Sequence, residues 1–266
     1  VMIRRVLNIS LLLTAVLGLF VSLAFSSSES DKVPCSDITI HVDHSTNNFF
    51  VTEDDVMDMI LSKGDSLKGS PITSIPIGVY ERHISANPSV KRAEVYTKHN
   101  GIFAVKVYQR EPILRVFNSE GVSFYLDIEG SIMPTSKSYT ARVPVASGFI
   151  SDKLFEMERY NVKTMSDSLK NASCLDELFE LATFIKTHDR WRSLIQQIRV
   201  ESNGELTVVP TVGDHHILLG STDKLELKFK KLHLFYMKGL NKTGWDQYAH
   251  INLKYKDQVI CTKKNS

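Results

Sequence analysis

An uncharged apolar segment near the start of the chain constrains the fold most. Residues 6–25 read VLNISLLLTAVLGLFVSLAF and follow Arg4 and Arg5. A helix of this length spans about 30 Å, the thickness of a bilayer's hydrocarbon core. Because basic residues mark the cytoplasmic side, the pattern predicts a transmembrane helix, with residues 1–5 in the cytoplasm and the bulk of the chain outside it. The alternative is a cleaved signal peptide, whose apolar region is usually shorter, about 7–15 residues.

The remaining residues have the composition of folded domains. Hydrophobic residues make up 42% and charged residues 23% of the 266-residue chain, and the net charge is +2. This charge is too small to indicate a nucleic-acid partner, and the length suits one or two domains. The Ser-rich residues 26–34 predict a short tether. Three cysteines permit at most one disulfide, and three separate thiols are the favoured interpretation.

Residues 35–111 carry the pattern of a small α+β domain. Apolar and polar residues alternate over Ile38–Val42, which predicts a strand. Thr52, three residues before Asp55, is close to a capping box and predicts the start of a helix. A second helix is predicted over Ile75–Ser85.

A hairpin is predicted to close this domain. Two alternating runs, Val90–Tyr96 and Ile102–Gln109, flank the turn signal Asn100-Gly101. The predicted order is therefore β-α-α-β-β, with two helices on one face of a small sheet. The stretch NPSVKRAEVYTKHNGIFAVKVYQREPI, residues Asn87–Ile113, resembles the closing part of a POTRA domain. Pro112 cannot donate to a ladder, so the sheet is expected to end there.

Residues 112–264 predict a mixed β-sheet domain with flanking helices. One helix is predicted from Ser173, and a second follows a cap at Thr222 and ends near Gly239. The predicted strands are 122–126, 130–133, 143–148, 195–201, 205–212, 216–220, 248–255 and 258–262.

An ordered set of segments in this second region resembles the FtsQ/DivIB family of bacterial cell-division proteins. The segments are YLDIEGSIMP (Tyr125–Pro134), VPVASG (Val143–Gly148), IQQIRVESNGELTVVP (Ile195–Pro210) and YAHINLKYKDQVICTKK (Tyr248–Lys264). A POTRA-like unit after one membrane anchor also fits the family, so the resemblance covers about residues 35–264. It implies a single-pass protein of the bacterial inner membrane, located at the division septum, with its bulk outside the cytoplasm.

The resemblance also implies a scaffold without an active site or cofactor. Its implied partners are FtsB and FtsL, together with FtsK, FtsW and the septal peptidoglycan synthase. A second hypothesis is a POTRA-containing secretion or assembly factor that binds client polypeptides by strand addition. A third is an extracytoplasmic enzyme.

The last strand is the predicted partner-binding site. A strand at the end of the fold is expected to be an edge, whose unpaired N–H and C=O groups accept a strand from a partner. The resemblance places FtsB there, with Tyr255 at the position of a family tyrosine. The predicted site residues are Ile251, Leu253, Tyr255, Asp257, Gln258, Val259, Ile260 and Cys261. The alternative is an edge protected by Lys254, Lys256, Lys263 and Lys264.

Catalytic patterns are weak in this sequence. Ser221–Lys224 matches Ser-x-x-Lys and Lys242–Gly244 matches Lys-Thr-Gly, as in penicillin-binding enzymes. Only 17 residues separate the two lysines, which leaves no room for the Ser-Asp-Asn element of that site. His215 and His216 are adjacent, so in a strand their rings face opposite sides and do not chelate one metal.

A run of lysines is the other charged feature of this region. The residues are Lys228, Lys230, Lys231 and Lys238. On a predicted helix they are expected to form a solvated face rather than a binding patch.

Overall fold

The structure is a computed structural model that describes residues 11–19, 33–64, 66–150, 161–164 and 173–264. Residues 11–19 are helical; the other residues of the predicted transmembrane segment 6–25, the N-terminus 1–5 and most of the tether lie outside the described residues. In the part of the chain that is described, no helix has the length and apolar character needed to cross a bilayer. The chain forms two compact units, one ending at Gln109 and one beginning at Arg110.

The first unit has the predicted β-α-α-β-β order. Its elements are β1 (Asp37–Asp43), α1 (Glu53–Leu61), α2 (Ile77–Ser85), β2 (Val90–Thr97) and β3 (Ile102–Gln109). The central strand is β3, which pairs in parallel with β1 and antiparallel with β2. The two helices bury Val56, Ile60, Tyr80 and Ile84, and the Tyr80 and Phe103 rings meet edge to face at 5.5 Å.

Local signals set the starts of the two helices. Thr52 and Asp55 form the capping box, because the Thr52 hydroxyl accepts from the Asp55 amide and the Asp55 carboxylate accepts from the Thr52 amide. The second helix begins at Ile77, not at Ile75 as predicted. Pro76 occupies its N-cap position and a 3₁₀ turn precedes it, which shortens the helix.

The second unit is a nine-stranded mixed sheet in the order β12-β11-β10-β9-β8-β7-β4-β5-β6. The strands are β4 (Pro112–Phe117), β5 (Ser123–Asp127), β6 (Ile132–Pro134), β7 (Val145–Gly148), β8 (Ile195–Val200), β9 (Leu206–Pro210), β10 (His216–Gly220), β11 (Tyr248–Asn252) and β12 (Ile260–Lys263). The helices are α3 (Leu175–Thr187), α4 (Asp189–Leu194) and α5 (Leu225–Phe235).

One face of this sheet forms the core beneath the three helices. The strand register aligns one row of apolar side chains across eight strands, and every member belongs to the core or packs against it. Along the sheet the row is Phe124, Val116, Ala146, Ile198, Val208, Ile217, Ile251 and Cys261. Since neighbouring residues in a strand point to opposite faces, the adjacent row, with Arg199, Thr207 and Asn252, lies on the other face.

Two elements of the second unit were not predicted. Strand β4 lies between β7 and β5 in the interior of the sheet order, although it begins at Pro112. A proline fits there because the first residue of a strand can lack an amide donor. Helix α4 has six residues, too few for its spacing to give a helical pattern.

The last helix differs from its prediction at both ends. Its N-cap residue is Lys224, in the left-handed conformation at φ 58°, and not Thr222. The Thr222 hydroxyl instead donates to Glu180 at 2.5 Å. The α-helix ends at Phe235 and continues as π-helix over Tyr236–Leu240. Lys228, predicted to lie on a solvated face, is buried and only 9% exposed, so that prediction is wrong for this residue.

The cysteines are separate thiols, as the sequence favoured. Cys35, Cys174 and Cys261 are all free in the structure. Burial raises the pKa of the Cys261 thiol. A thiol with a raised pKa stays protonated at neutral pH, which lowers its reactivity.

Candidate protein-binding edge

Strand β12 ends the large sheet on one side. It pairs antiparallel with β11, and no other strand of the described residues pairs with it. Two further ladders hold β11 in place, since β10 pairs with it in parallel and β9 pairs with β10. The edge strand is therefore supported by a continuous sheet.

The hydrogen bonds define which backbone groups of β12 face outward. The Lys264 amide donates to the Gln247 carbonyl at 3.1 Å, and the Leu253 amide donates to the Leu218 carbonyl of β10 at 3.0 Å. Successive residues of a strand direct their N–H and C=O groups to opposite sides. Thr262 and Ile260 thus bond to β11, and the N–H and C=O groups of Cys261 and Lys263 point away from the sheet.

The side chains of β12 differ on its two faces. Cys261 aligns with Ile251 and packs against the core, while Ile260 lies on the other face and is 41% exposed. Lys263 is exposed on the same face as Cys261, and its neighbour Lys264 forms an ion pair with Asp214 at 2.9 Å. That pair lowers the pKa of Asp214. The edge therefore offers two outward backbone donors beside an exposed isoleucine and an exposed lysine.

The predicted site residues divide into three groups. Ile251 and Leu253 are fully buried, so their side chains are unavailable to a partner. Tyr255, Asp257 and Gln258 are exposed, but they lie in the turn between β11 and β12 and not in a strand.

The remaining three predicted residues lie at the edge itself. Val259 precedes β12 and is half-buried against the core. Ile260 and Cys261 lie in β12. The prediction omitted Lys263, whose backbone faces outward, because that direction depends on the register with β11 and leaves no mark on the sequence.

Helix α5 holds the turn before β12. The Lys231 ammonium donates to the Leu253 carbonyl at 3.2 Å and also to the Tyr255 carbonyl. Lys254 forms an ion pair with Glu205 at 3.0 Å, which lowers the pKa of that carboxyl. These contacts hold the backbone from Leu253 to Tyr255, and Tyr255 remains 47% exposed.

The catalytic patterns do not assemble into a site. The Ser221 hydroxyl donates to Asp223 at 3.0 Å. Lys242 and Thr243 of the Lys-Thr-Gly motif lie at the far end of the helical segment 225–243, whose length at 1.5 Å per residue separates them from Ser221 by about 25 Å. Among the described residues, no group of three or more His, Cys, Asp or Glu side chains is placed to hold a metal ion.

The two adjacent histidines face opposite sides of β10, as predicted. His215 is buried, and its Nε2 lies 2.8 Å from the Tyr236 hydroxyl. His216 is exposed and stacks on His250 of β11, with 5.8 Å between ring centroids. Burial lowers the pKa of His215, with smaller contributions from His216 and Lys264.

Comparison with protein-family models gives two matches. The model described as FtsQ/DivIB, C-terminal related, matches residues 111–262, which is more than half of the chain. The model of the POTRA-like domain matches residues 33–108. A search of curated proteins gives no match.

Proposed function

Because the chain belongs to the family described as FtsQ/DivIB, C-terminal related, we propose that it is a non-enzymatic scaffold of bacterial cell division. In this proposal it is anchored in the inner membrane by the apolar segment 6–25. Its POTRA-like and β-sheet domains lie outside the cytoplasm and connect early division proteins to septal wall synthesis.

The proposed partner is the FtsB–FtsL complex, which adds a strand to β12. The observation that carries this proposal is the outward backbone of Cys261 and Lys263 on the terminal strand of a nine-stranded sheet. In strand addition the main-chain hydrogen bonds supply affinity and the neighbouring side chains supply specificity. The exposed Ile260 and Tyr255 are the apolar side chains closest to this edge along the chain. FtsK, FtsW and the septal peptidoglycan synthase are proposed as further partners in the assembly.

The test removes one of the two outward backbone donors of β12. Proline at Lys263 removes an outward N–H without removing a donor to β11. Lys263→Ala is the matched control, because it removes the same side chain and keeps the N–H. The tagged full-length chain and both variants are purified from the native membrane after mild crosslinking.

The expected result is recovery of FtsB and FtsL with the parent chain and Lys263→Ala, and their loss with Lys263→Pro. Equal recovery with all three chains would retain the division scaffold and reject strand addition at β12. Recovery of secretion or outer-membrane assembly components in their place would reject the division role.

That last outcome would favour the alternative function, a POTRA-containing factor that binds client polypeptides. The match to a POTRA-like domain over residues 33–108 is the observation in its favour. The family match of the larger second unit favours division.

A further inference from the structure

A lysine-lined cavity lies beside helix α5, on the turn side of β11. Its volume is about 320 Å³, and five of the ten residues that line it are lysines. These lysines are Lys224, Lys228, Lys231, Lys254 and Lys256. Asp223 is the only acidic residue among the described residues lining the cavity, so the formal charge of its wall is +4 (five lysines less one aspartate).

Most of this charge is not neutralised within the described part of the chain. Lys254 pairs with Glu205, but no ion pair of the described residues involves Lys224, Lys231 or Lys256. Lys231 is held by main-chain carbonyl oxygens, which carry no formal charge. An excess of like charge around one cavity is unfavourable unless an anion or solvent compensates it.

Lys228 is the decisive residue. Its side chain lines the cavity although the residue is only 9% exposed. An ammonium group has three donors, and within the described residues the Ser221 carbonyl, at 2.8 Å, is the single hydrogen-bond acceptor on its Nζ. A buried ammonium group normally has several hydrogen-bond partners. Among the described residues, the carboxylates of Asp223, Glu177 and Glu205 act on this one through space and form no ion pair with it. Burial lowers the pKa of Lys228; Asp223 opposes this shift, and the nearby Lys231 adds to it.

The composition of the wall indicates the kind of anion. Lysine binds phosphate as a point charge, whereas the planar fork of arginine suits carboxylates, and no arginine is among the described residues that line the cavity. The wall also contains Leu227 and Tyr255, both partly exposed, which provide apolar contact. The volume lies at the lower end of the range for small-molecule sites.

From these features we propose that the cavity binds the phosphate group of a small organic phosphate, either a free solute or a lipid headgroup. Lys228 and Lys231 hold the phosphate oxygens from the inner side, and Lys224 and Lys256 approach it from the open side. Leu227 and Tyr255 contact the organic part. The site is separate from the outward backbone of β12, so it does not depend on strand addition.

The test measures glycerol 3-phosphate binding to the full chain in dodecylmaltoside micelles, which contain no phosphate, by titration calorimetry. Lys228→Met removes the buried charge and keeps an unbranched side chain. Lys238→Met is the matched control, because Lys238 is exposed and lies outside the cavity. Because Lys228→Met loses a charge-assisted hydrogen bond to the phosphate, its affinity for glycerol 3-phosphate should be at least about tenfold weaker. The affinity of Lys238→Met should change by less than about twofold.

A second variant protects the test against misfolding of Lys228→Met. The double variant Lys224→Asn, Lys256→Gln changes only exposed side chains, and asparagine tolerates the left-handed backbone at residue 224. It is expected to weaken glycerol 3-phosphate binding by a similar factor. Glycerol is the neutral control and should not bind.

The source of the phosphate is tested by adding phosphatidylglycerol to the micelles. If the lipid occupies the cavity, it raises the melting temperature of the parent chain but not of Lys228→Met. If glycerol 3-phosphate alone responds to the variants, the ligand is a soluble phosphate. If neither probe distinguishes Lys228→Met from Lys238→Met, the proposal is wrong. Lys263→Pro should leave binding unchanged, so failure of the partner proposal does not affect this result.

Discussion

Arg110 donates to Asp127 across 2.8 Å and joins the first residue of the second unit to the turn between β5 and β6. Asp127 is 1% exposed, and its other carboxylate oxygen accepts the amides of Glu129 at 2.9 Å and Ser131 at 2.7 Å. One buried carboxylate therefore accepts from two amides of the Tyr125–Pro134 segment and from Arg110. The carboxylate thus has a structural role in this segment.

Asp127→Ala is expected to lower the free energy of unfolding by about 3 kcal/mol, because it leaves two amides and one guanidinium without their acceptor. Urea unfolding of the full chain measures the change. Glu129→Gln is the control, since the Glu129 side chain is 45% exposed and its carboxylate lies 3.6 Å from the Arg110 guanidinium; its effect should stay below about 0.5 kcal/mol. An equal effect of both variants would contradict the role given to Asp127.

Gly148 is required where β7 meets β8. Its φ is +109°, and a Cβ there would lie 2.3 Å from the Val200 carbonyl oxygen. Gly148→Ala is therefore expected to cost more than about 2 kcal/mol of stability. Two causes contribute to this cost, the positive φ and the clash with Val200. Gly121→Ala separates them, because Gly121 also has a positive φ but no atom lies within 4 Å of its Cβ position. This substitution should cost only about 1–2 kcal/mol. Thermal unfolding of both variants provides the comparison.

His215 predicts a pH dependence of stability. Burial lowers its pKa below the ordinary value of 6.5, so the unfolded chain binds this proton more readily than the folded chain. The contribution of neutral His215 to the free energy of unfolding is complete above pH 6.5. It is lost as the pH falls from 6.5 towards the pKa of the folded chain. Unfolding free energies at pH 7.5 and 5.5 should differ less in His215→Gln than in the parent. His216→Gln should keep most of the dependence of the parent, because His216 contributes less than burial does to the lowered pKa of His215.

The capping box of α1 predicts a local effect in the first unit. Thr52→Ala removes the side-chain acceptor of the Asp55 amide and should lower stability by about 1 kcal/mol. Thr52→Ser keeps the hydroxyl and should retain most of the stability of the parent chain. Hydrogen exchange of the amides in Glu53–Leu61 measures the change within this helix. Unchanged protection in Thr52→Ala would show that packing alone maintains the helix.

Several elements of both units were predictable because their signals are local. The hairpin of β2 and β3 follows from two alternating runs around Asn100-Gly101, and the start of α1 follows from Thr52 and Asp55. The opposite orientations of His215 and His216 follow from the two-residue period of a strand. In each case, the information is carried by residues within about twenty positions of one another.

Other features were not predictable because they depend on distant contacts. Strand β4 lies within the sheet only because β5 and β7 pair with both its sides. The predicted edge site contained two residues, Ile251 and Leu253, that the helices bury. Lys228 matched a solvated face by its charge, yet the packing of α5 against the sheet buries it.

The sequence by itself determined the two kinds of domain, most of their helices and strands, and the resemblance to a division-protein family. These properties follow from hydrophobic period, turn residues and caps, which act between near neighbours in the chain. Only the tertiary structure decided that Cys261 and Lys263 present their backbones outward and that five lysines meet at one cavity. The physical reason is that register and burial are set by strands and helices far apart in sequence, whose pairing no local pattern records.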